Sequence, residues 1–143
     1  MIGGQILVDV HIQVDAYLSL SEAHFIADHV EKNLMQFSRK IIDITVHMDP
    51  ENDDGSISAL NLPSRKILEK TLNRYWQKLP GYENIQKINL YYLKGKIEIE
   101  VLMMLPNFYE NETSKADILV EKYQTAIKDI NYIYSVKIYF STD

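Results

Sequence analysis

The chain has 143 residues, 46% of them hydrophobic and 24% charged, which excludes disorder, collagen and coiled coil as descriptions of the whole chain. It contains no cysteine, so disulfides, thiolate metal sites and cysteine nucleophiles are also excluded. The net charge of −5 opposes binding to nucleic-acid phosphates and is compatible with cations. No apolar run reaches the roughly 20 residues that span a bilayer, and no signal peptide is visible. We therefore expect the chain, as given, to be soluble and not to bind nucleic acid.

The N-terminal part of the sequence predicts a strand followed by a helix. Residues 5–15 alternate between apolar side chains on one face and mostly polar side chains, including His11, on the other. Ser19 and Glu22 have the spacing of a capping box, which marks the first turn of a helix. His24 lies on the flank of the apolar stripe of this helix. Both histidines are thus placed outside the apolar surfaces that would form a core.

The rest of the chain predicts a second strand, a linker and a further group of helices and strands. Residues 41–49 alternate like the first strand, and His47 and Asp49 share one of its faces. Residues 51–63 are acidic, contain glycine and end in proline, which is typical of a linker. The later elements are predicted as a helix at 64–79, strands at 85–93 and 96–105 with a turn at Lys94 and Gly95, a helix at 114–128 and a strand at 134–140.

The two halves of the chain share a repeated pattern. The segment ending at Val14 aligns with the segment ending at Leu105, and each half continues with a helix and a strand. We therefore predict an α+β, ferredoxin-like architecture in two tandem repeats: a truncated strand–helix–strand unit at residues 1–50 and a complete helix–strand–strand–helix–strand unit at residues 64–143. The fold itself does not require histidines, because the second half lacks those of the first. In this alignment His11, His24, His47 and Asp49 correspond to Leu102, Asp117, Lys137 and Tyr139.

The polar face of the first unit carries a set of potential metal ligands. His47 and Asp49 point to one face of a strand, and a strand–helix–strand return brings His11 close to them. Two imidazoles and one carboxylate suit Zn²⁺ or another borderline divalent ion. The alternative is that these residues form a solvated polar face, and that His24 pairs with Asp28 at the helix surface.

The first fifty residues resemble the C-terminal cytoplasmic domain of cation diffusion facilitator transporters. The resemblance is carried by the segments VDVHIQVDAYLSLSEAHFIADHVEKNL and DITVHMDP. Their shared pattern is a strand ending in histidine, a helix opening Glu-Ala-His and a strand ending His-x-Asp-Pro. The close match covers residues 4–50, whereas residues 64–140 match only in the order of their elements.

The resemblance implies a zinc site at the interface of a homodimer, with Asp49 bridging two ions and His24 contributed by the opposite protomer. It also implies attachment to a transmembrane domain at the cytoplasmic face of the cell membrane, where metal binding regulates transport. Because the family has a further helix and strand before the first strand, we expect the chain to be a piece of a longer transporter. The implied metal ligands are His11, His24, His47 and Asp49.

Three functions follow from these patterns. The leading hypothesis is a regulatory, metal-sensing domain of a divalent-cation efflux transporter, which is not an enzyme. The second is a module that dimerises independently of metal. The third is a small metallohydrolase on the same ligands, which is disfavoured because no HExxH motif, nucleophile elbow or convergent general base is visible.

Overall fold

The computed structural model describes residues 4–51, 59–104 and 113–141. The chain divides into two compact units, Met1–Ser56 and Ile57–Asp143. Each unit combines helix with β-sheet, which confirms the predicted α+β class and is compatible with a ferredoxin-like fold.

The region between the two units is described only in part. Residues 52–58 of the predicted linker lie outside the described residues. The last part of that linker contains a single 3₁₀ turn, Ala59–Asn61. The predicted boundaries of the units, at residues 50 and 64, therefore stay predictions.

The first unit contains strand β1 (Ile6–Gln13), helix α1 (Leu20–Phe37) and strand β2 (Ile41–Asp49). Ser19 caps α1 as predicted, since its hydroxyl accepts a hydrogen bond of 3.2 Å from the backbone N–H of Glu22. The two strands pair in parallel, and α1 packs against β2. Because the strands are neighbours in one sheet, side chains from both line the same polar face.

The second unit contains helix α2 (Arg65–Trp76), strands β3 (Ile85–Leu93) and β4 (Lys96–Met104), helix α3 (Thr113–Ala126) and strand β5 (Ile133–Ser141). Its sheet has the order β3–β4–β5, with β3 antiparallel to β4 and β4 parallel to β5. The predicted succession of helix, strand, strand, helix and strand is confirmed. Across the described ranges, no helix has both the length and the apolar content that crossing a membrane requires.

Two element ends in the second unit are determined by local backbone geometry. Helix α2 ends at Trp76, earlier than predicted, because the N–H of Leu79 bonds to the Trp76 carbonyl in a tighter turn before Pro80. The turn between β3 and β4 falls at Lys94 and Gly95 as predicted, and both residues have positive φ, 49° and 67°. Glycine adopts this left-handed conformation without a steric penalty, which allows the tight reversal.

The core of the second unit is formed by residues of α2, α3, β4 and β5, together with Ile127, which directly follows α3. Trp76 and Tyr123 are its largest members, and the indole Nε1 donates a hydrogen bond of 3.1 Å to the Tyr123 carbonyl. The Tyr123 hydroxyl donates to the Pro80 carbonyl at 3.1 Å, and burial raises the pKa of this hydroxyl. The buried core residues are Leu68, Leu72, Trp76, Ile97, Ile99, Val101, Met103, Leu119, Tyr123, Ile127 and Val136.

The first unit buries less apolar surface than the second. Among its described residues, Ile44 is the one buried hydrophobic side chain, and α1 contains none. Ile6, at the start of β1, is 41% exposed, whereas Ile97, its counterpart in β4, is completely buried. The second unit has two further elements: β3 adds a strand to the sheet, and α2 contributes Leu68, Leu72 and Trp76 to the core.

We predict that Leu72→Ala lowers the free energy of unfolding of the second unit by about 2–5 kcal/mol, because Leu72 is 1% exposed and its truncation leaves a cavity. Ile67→Ala on the same helix is the control, since Ile67 is 57% exposed and its truncation should cost less than about 0.5 kcal/mol. Denaturant unfolding followed by the fluorescence of Trp76, the single tryptophan, measures both variants. Equal costs would contradict the described packing.

Candidate metal centre

The pairing register of the first sheet places His11 of β1 directly opposite His47 of β2. Their imidazole rings stack, with centroids 4.4 Å apart and planes 11° apart. Asp9 and Asp49 lie two residues from these histidines along each strand, and therefore on the same face. Strand pairing thus collects four polar side chains from two distant parts of the sequence.

Two carboxylate–imidazole pairs cross the strands diagonally. His11 Nδ1 lies 2.9 Å from Asp49 Oδ2, and His47 Nε2 lies 3.0 Å from Asp9 Oδ1. Asp49 is the better covered carboxylate, at 24% exposure, whereas Asp9 is 70% exposed. Because all four side chains contact water, each carboxylate–imidazole contact contributes little to stability.

His24 has a separate environment on α1. Its Nδ1 lies 3.7 Å from Asp28 Oδ1, one helical turn along, and both side chains are exposed. This is the surface pair that sequence spacing suggested. Within one chain, the structure therefore stacks His11 on His47 and pairs Asp49 with His11, while His24 pairs on the helix.

The structure adds Asp9 to the candidate ligands. Asp9, His11 and His47 each have a potential ligand atom, and these three atoms lie within 4.8 Å of one another. In the described part of the chain, this is the single group of three or more potential ligands. Sequence reasoning did not identify Asp9 as a ligand. The available signal was its i, i+2 spacing from His11, which is the spacing that singled out His47 and Asp49.

The chemistry of these donors fits a borderline divalent ion. Zinc with bonds of about 2 Å keeps tetrahedral ligand atoms roughly 3.3 Å apart, so atoms spread over up to 4.8 Å need to approach by at most about 1.5 Å. Exposed side chains can make this adjustment by rotation, without disturbing a core. Histidine ligands commonly donate their other ring N–H to a carboxylate, and the pair of His11 with Asp49 has that form.

The second unit repeats this strand pairing with other residues. In both parallel pairs the register shifts by one residue near the start of the first strand. Leu102 of β4 then pairs with Tyr139 of β5, just as His11 pairs with His47. The alignment of the two halves of the sequence had matched His47 to Lys137, two residues before Tyr139. That match was wrong, because spacing along the chain does not reveal how two strands are in register.

A carboxylate is present in the second unit at the position of Asp9. This residue is Glu100, whose Oε2 accepts a hydrogen bond of 2.9 Å from the Tyr91 hydroxyl and whose Oε1 accepts one of 3.3 Å from the Tyr139 hydroxyl. The Tyr139 phenol therefore stands where the first unit has the His47 imidazole. No group of three potential metal ligands occurs among the described residues of this unit.

The first unit also matches a known protein family. Residues 1–51 match the family model described as the cytoplasmic domain of cation efflux proteins. The predicted family resemblance is confirmed for this segment. This cation efflux segment ends just after β2, so it includes His11, His24, His47 and Asp49. Comparisons with curated proteins and with solved structures give no significant match.

We predict that Asp9→Asn and Asp49→Asn each change the stability of the metal-free protein by less than about 1 kcal/mol, because both carboxylate–imidazole contacts are open to water. Ile44→Ala serves as the comparison, since it truncates a buried side chain of β2 and should cost about 2–5 kcal/mol. Thermal unfolding followed by circular dichroism in the presence of a chelator measures all three. A loss in either Asn variant as large as that of Ile44→Ala would show that the polar face holds the fold together.

Proposed function

We propose that the first unit is a metal-sensing, regulatory domain of a divalent-cation efflux transporter and that it does not catalyse a reaction. The observation that carries the proposal is the adjacency of His11, His47 and Asp49 on one sheet face, within the segment that matches cation efflux cytoplasmic domains. Imidazole and carboxylate donors in this combination suit Zn²⁺, and they also accept other divalent transition metals.

His24 is proposed to complete the ligand set from a second copy of the chain. Within one chain it makes an exposed pair with Asp28 on α1, and an exposed imidazole can contact another molecule without any change in the helix. Asp49 has two carboxylate oxygens and can serve two ions. The partners that follow are a divalent metal ion, a second copy and the transmembrane domain of the same transporter, at the cytoplasmic face of the cell membrane.

In the proposed regulation, metal binding shifts the chain from a single copy, which offers the ligands of one chain, to a dimer, which offers ligands from two. The ion supplies a positive charge that donors from two chains can share, so the dimer binds it more tightly than either chain alone. Binding of the ion stabilises the state that binds it by about 2.7 kcal/mol when the free ion is present at 100 times its dissociation constant. In this proposal the chain presents His11 and His47 from paired strands and His24 from α1.

A metal-independent dimerisation module is the second candidate. It is favoured by the exposure of several large apolar side chains on α1, since such side chains are typical of surfaces that contact other molecules. The most exposed of them are Leu20, Phe25 and Phe37.

We predict that the wild-type chain binds Zn²⁺ and shifts toward a dimer, and that His47→Ala/Asp49→Ala does neither, because this variant loses two proposed ligands. The measurement is a calorimetric titration, with light scattering on the same samples. His29→Ala is the matched control, since the ring of His29 donates to the Phe25 carbonyl at 2.9 Å and belongs to no ligand group. A dimer that forms equally with and without Zn²⁺ in all variants would favour the metal-independent module.

We also predict that Zn²⁺ affinity falls as the pH is lowered from about 7.5 to about 5.5, because imidazole binds metal only in its neutral form and protons compete for the same nitrogen. Lower pH favours the protonated ring, so the sign of the change is a weaker affinity. Titrations at several pH values and constant ionic strength measure it. An affinity that stays flat over this range would be inconsistent with histidine ligands.

A further inference from the structure

We propose that the outward side of helix α2 is a docking surface for an anionic lipid bilayer. Three exposed basic residues of α2, together with Lys78 just after the helix, form what is here named the basic face: Lys66, Lys70, Arg74 and Lys78. This inference goes beyond metal sensing, because it assigns a partner to the second unit. It rests on the proposed function for one point, the placement of the chain beside a membrane.

The basic residues of α2 lie on the side of the helix that points away from the core. The buried residues of α2 are Leu68, Leu72 and Trp76. Each of them follows a basic residue by two positions, which corresponds to about 200° around a helix. From Lys66 to Arg74 the basic residues extend over about 12 Å along the helix axis. Burial of one side of α2 therefore holds the basic side toward solvent.

The basic face is a local concentration of positive charge in a chain that is negative as a whole. Residues 65–78 contain five basic residues and one acidic residue, a net charge of +4, whereas the whole chain carries −5. The single acid, Glu69, pairs with Arg65 at 3.0 Å, so these two charges offset each other and four positive charges remain. Helix α1 has the opposite balance, with three acidic residues and one lysine.

An anionic bilayer is the partner that this charge distribution favours. The cytoplasmic leaflet has a negative surface potential, which attracts lysine and arginine held near it. Ile67 is 57% exposed and lies three residues before Lys70, on the same side of the helix, where an apolar side chain can enter the headgroup region.

Tethering distinguishes a bilayer from a nucleic acid as the partner. The proposed attachment to a transmembrane domain keeps the chain beside the bilayer, so the net charge of −5 does not prevent the encounter. A free nucleic acid has no such tether, and the same net charge opposes its approach.

The experiment measures co-sedimentation of the full chain with lipid vesicles, at low ionic strength and with a chelator present. One set of vesicles contains about one third phosphatidylserine in phosphatidylcholine, and the other contains phosphatidylcholine alone. The wild type is expected to bind only the anionic vesicles, and added salt is expected to weaken this binding because it screens the charges. Lys70→Gln/Arg74→Gln is expected to bind about 30-fold more weakly, since each basic residue near the surface contributes about fivefold.

Matched variants test whether the loss belongs to the basic face. Lys32→Gln/Lys40→Gln removes the same two charges from exposed positions of the first unit and should bind like the wild type. Lys70→Arg/Arg74→Lys keeps both charges and should also bind like the wild type. Circular dichroism and the fluorescence of Trp76 show that each variant is folded.

The outcomes separate this inference from the proposed function. No binding to anionic vesicles, or equal losses in the two glutamine variants, would overturn the role of the basic face. Tighter binding to a single-stranded oligonucleotide than to anionic vesicles would also overturn it and would assign the surface to nucleic acid. Because a chelator is present, none of these results alters the Zn²⁺ titration. A failed Zn²⁺ titration would overturn the proposed function, whereas binding to anionic vesicles would still support the basic face.

Discussion

The parallel pairing of β1 with β2 is the constraint on which the candidate metal centre depends. It places His11 opposite His47, although a whole helix separates them in the chain. If the register shifted by one residue, the histidine of the shifted strand would point toward the apolar face and would no longer lie beside the other histidine. Backbone hydrogen bonds between the strands therefore hold the donor positions, and the side chains need only to choose rotamers.

Stability and binding are divided between the two faces of the first sheet. Ile44 is buried on the side that packs against α1, whereas the histidines and carboxylates lie in contact with water. Exposed polar contacts of this kind contribute little to folding, so the residues of this face can differ while the fold persists. The second unit illustrates the point, because it has the same parallel pairing with Tyr139 in place of His47. Its stability comes instead from a core to which α2 contributes Trp76.

Local patterns in the sequence predicted most of the secondary structure. Alternation located β2 at residues 41–49, and the spacing of Ser19 and Glu22 located the start of α1, because both signals depend on neighbours along the chain. The approach of His11 to His47 was also predicted, since a strand–helix–strand return makes two strands neighbours. The end of α2 was missed, because the tighter turn after Trp76 depends on a backbone bond that periodicity does not reveal.

The register between paired strands could not be predicted from the sequence. The sequence by itself determined which residues lie on the polar face, because side-chain direction alternates along a strand regardless of its partner. Only the tertiary structure decided that His11 meets Asp49 while His47 meets Asp9, and that Tyr139 rather than Lys137 stands in the place of His47. These contacts depend on the register shift near the start of each parallel pair, which is a property of two strands together and is not encoded in the spacing of either one.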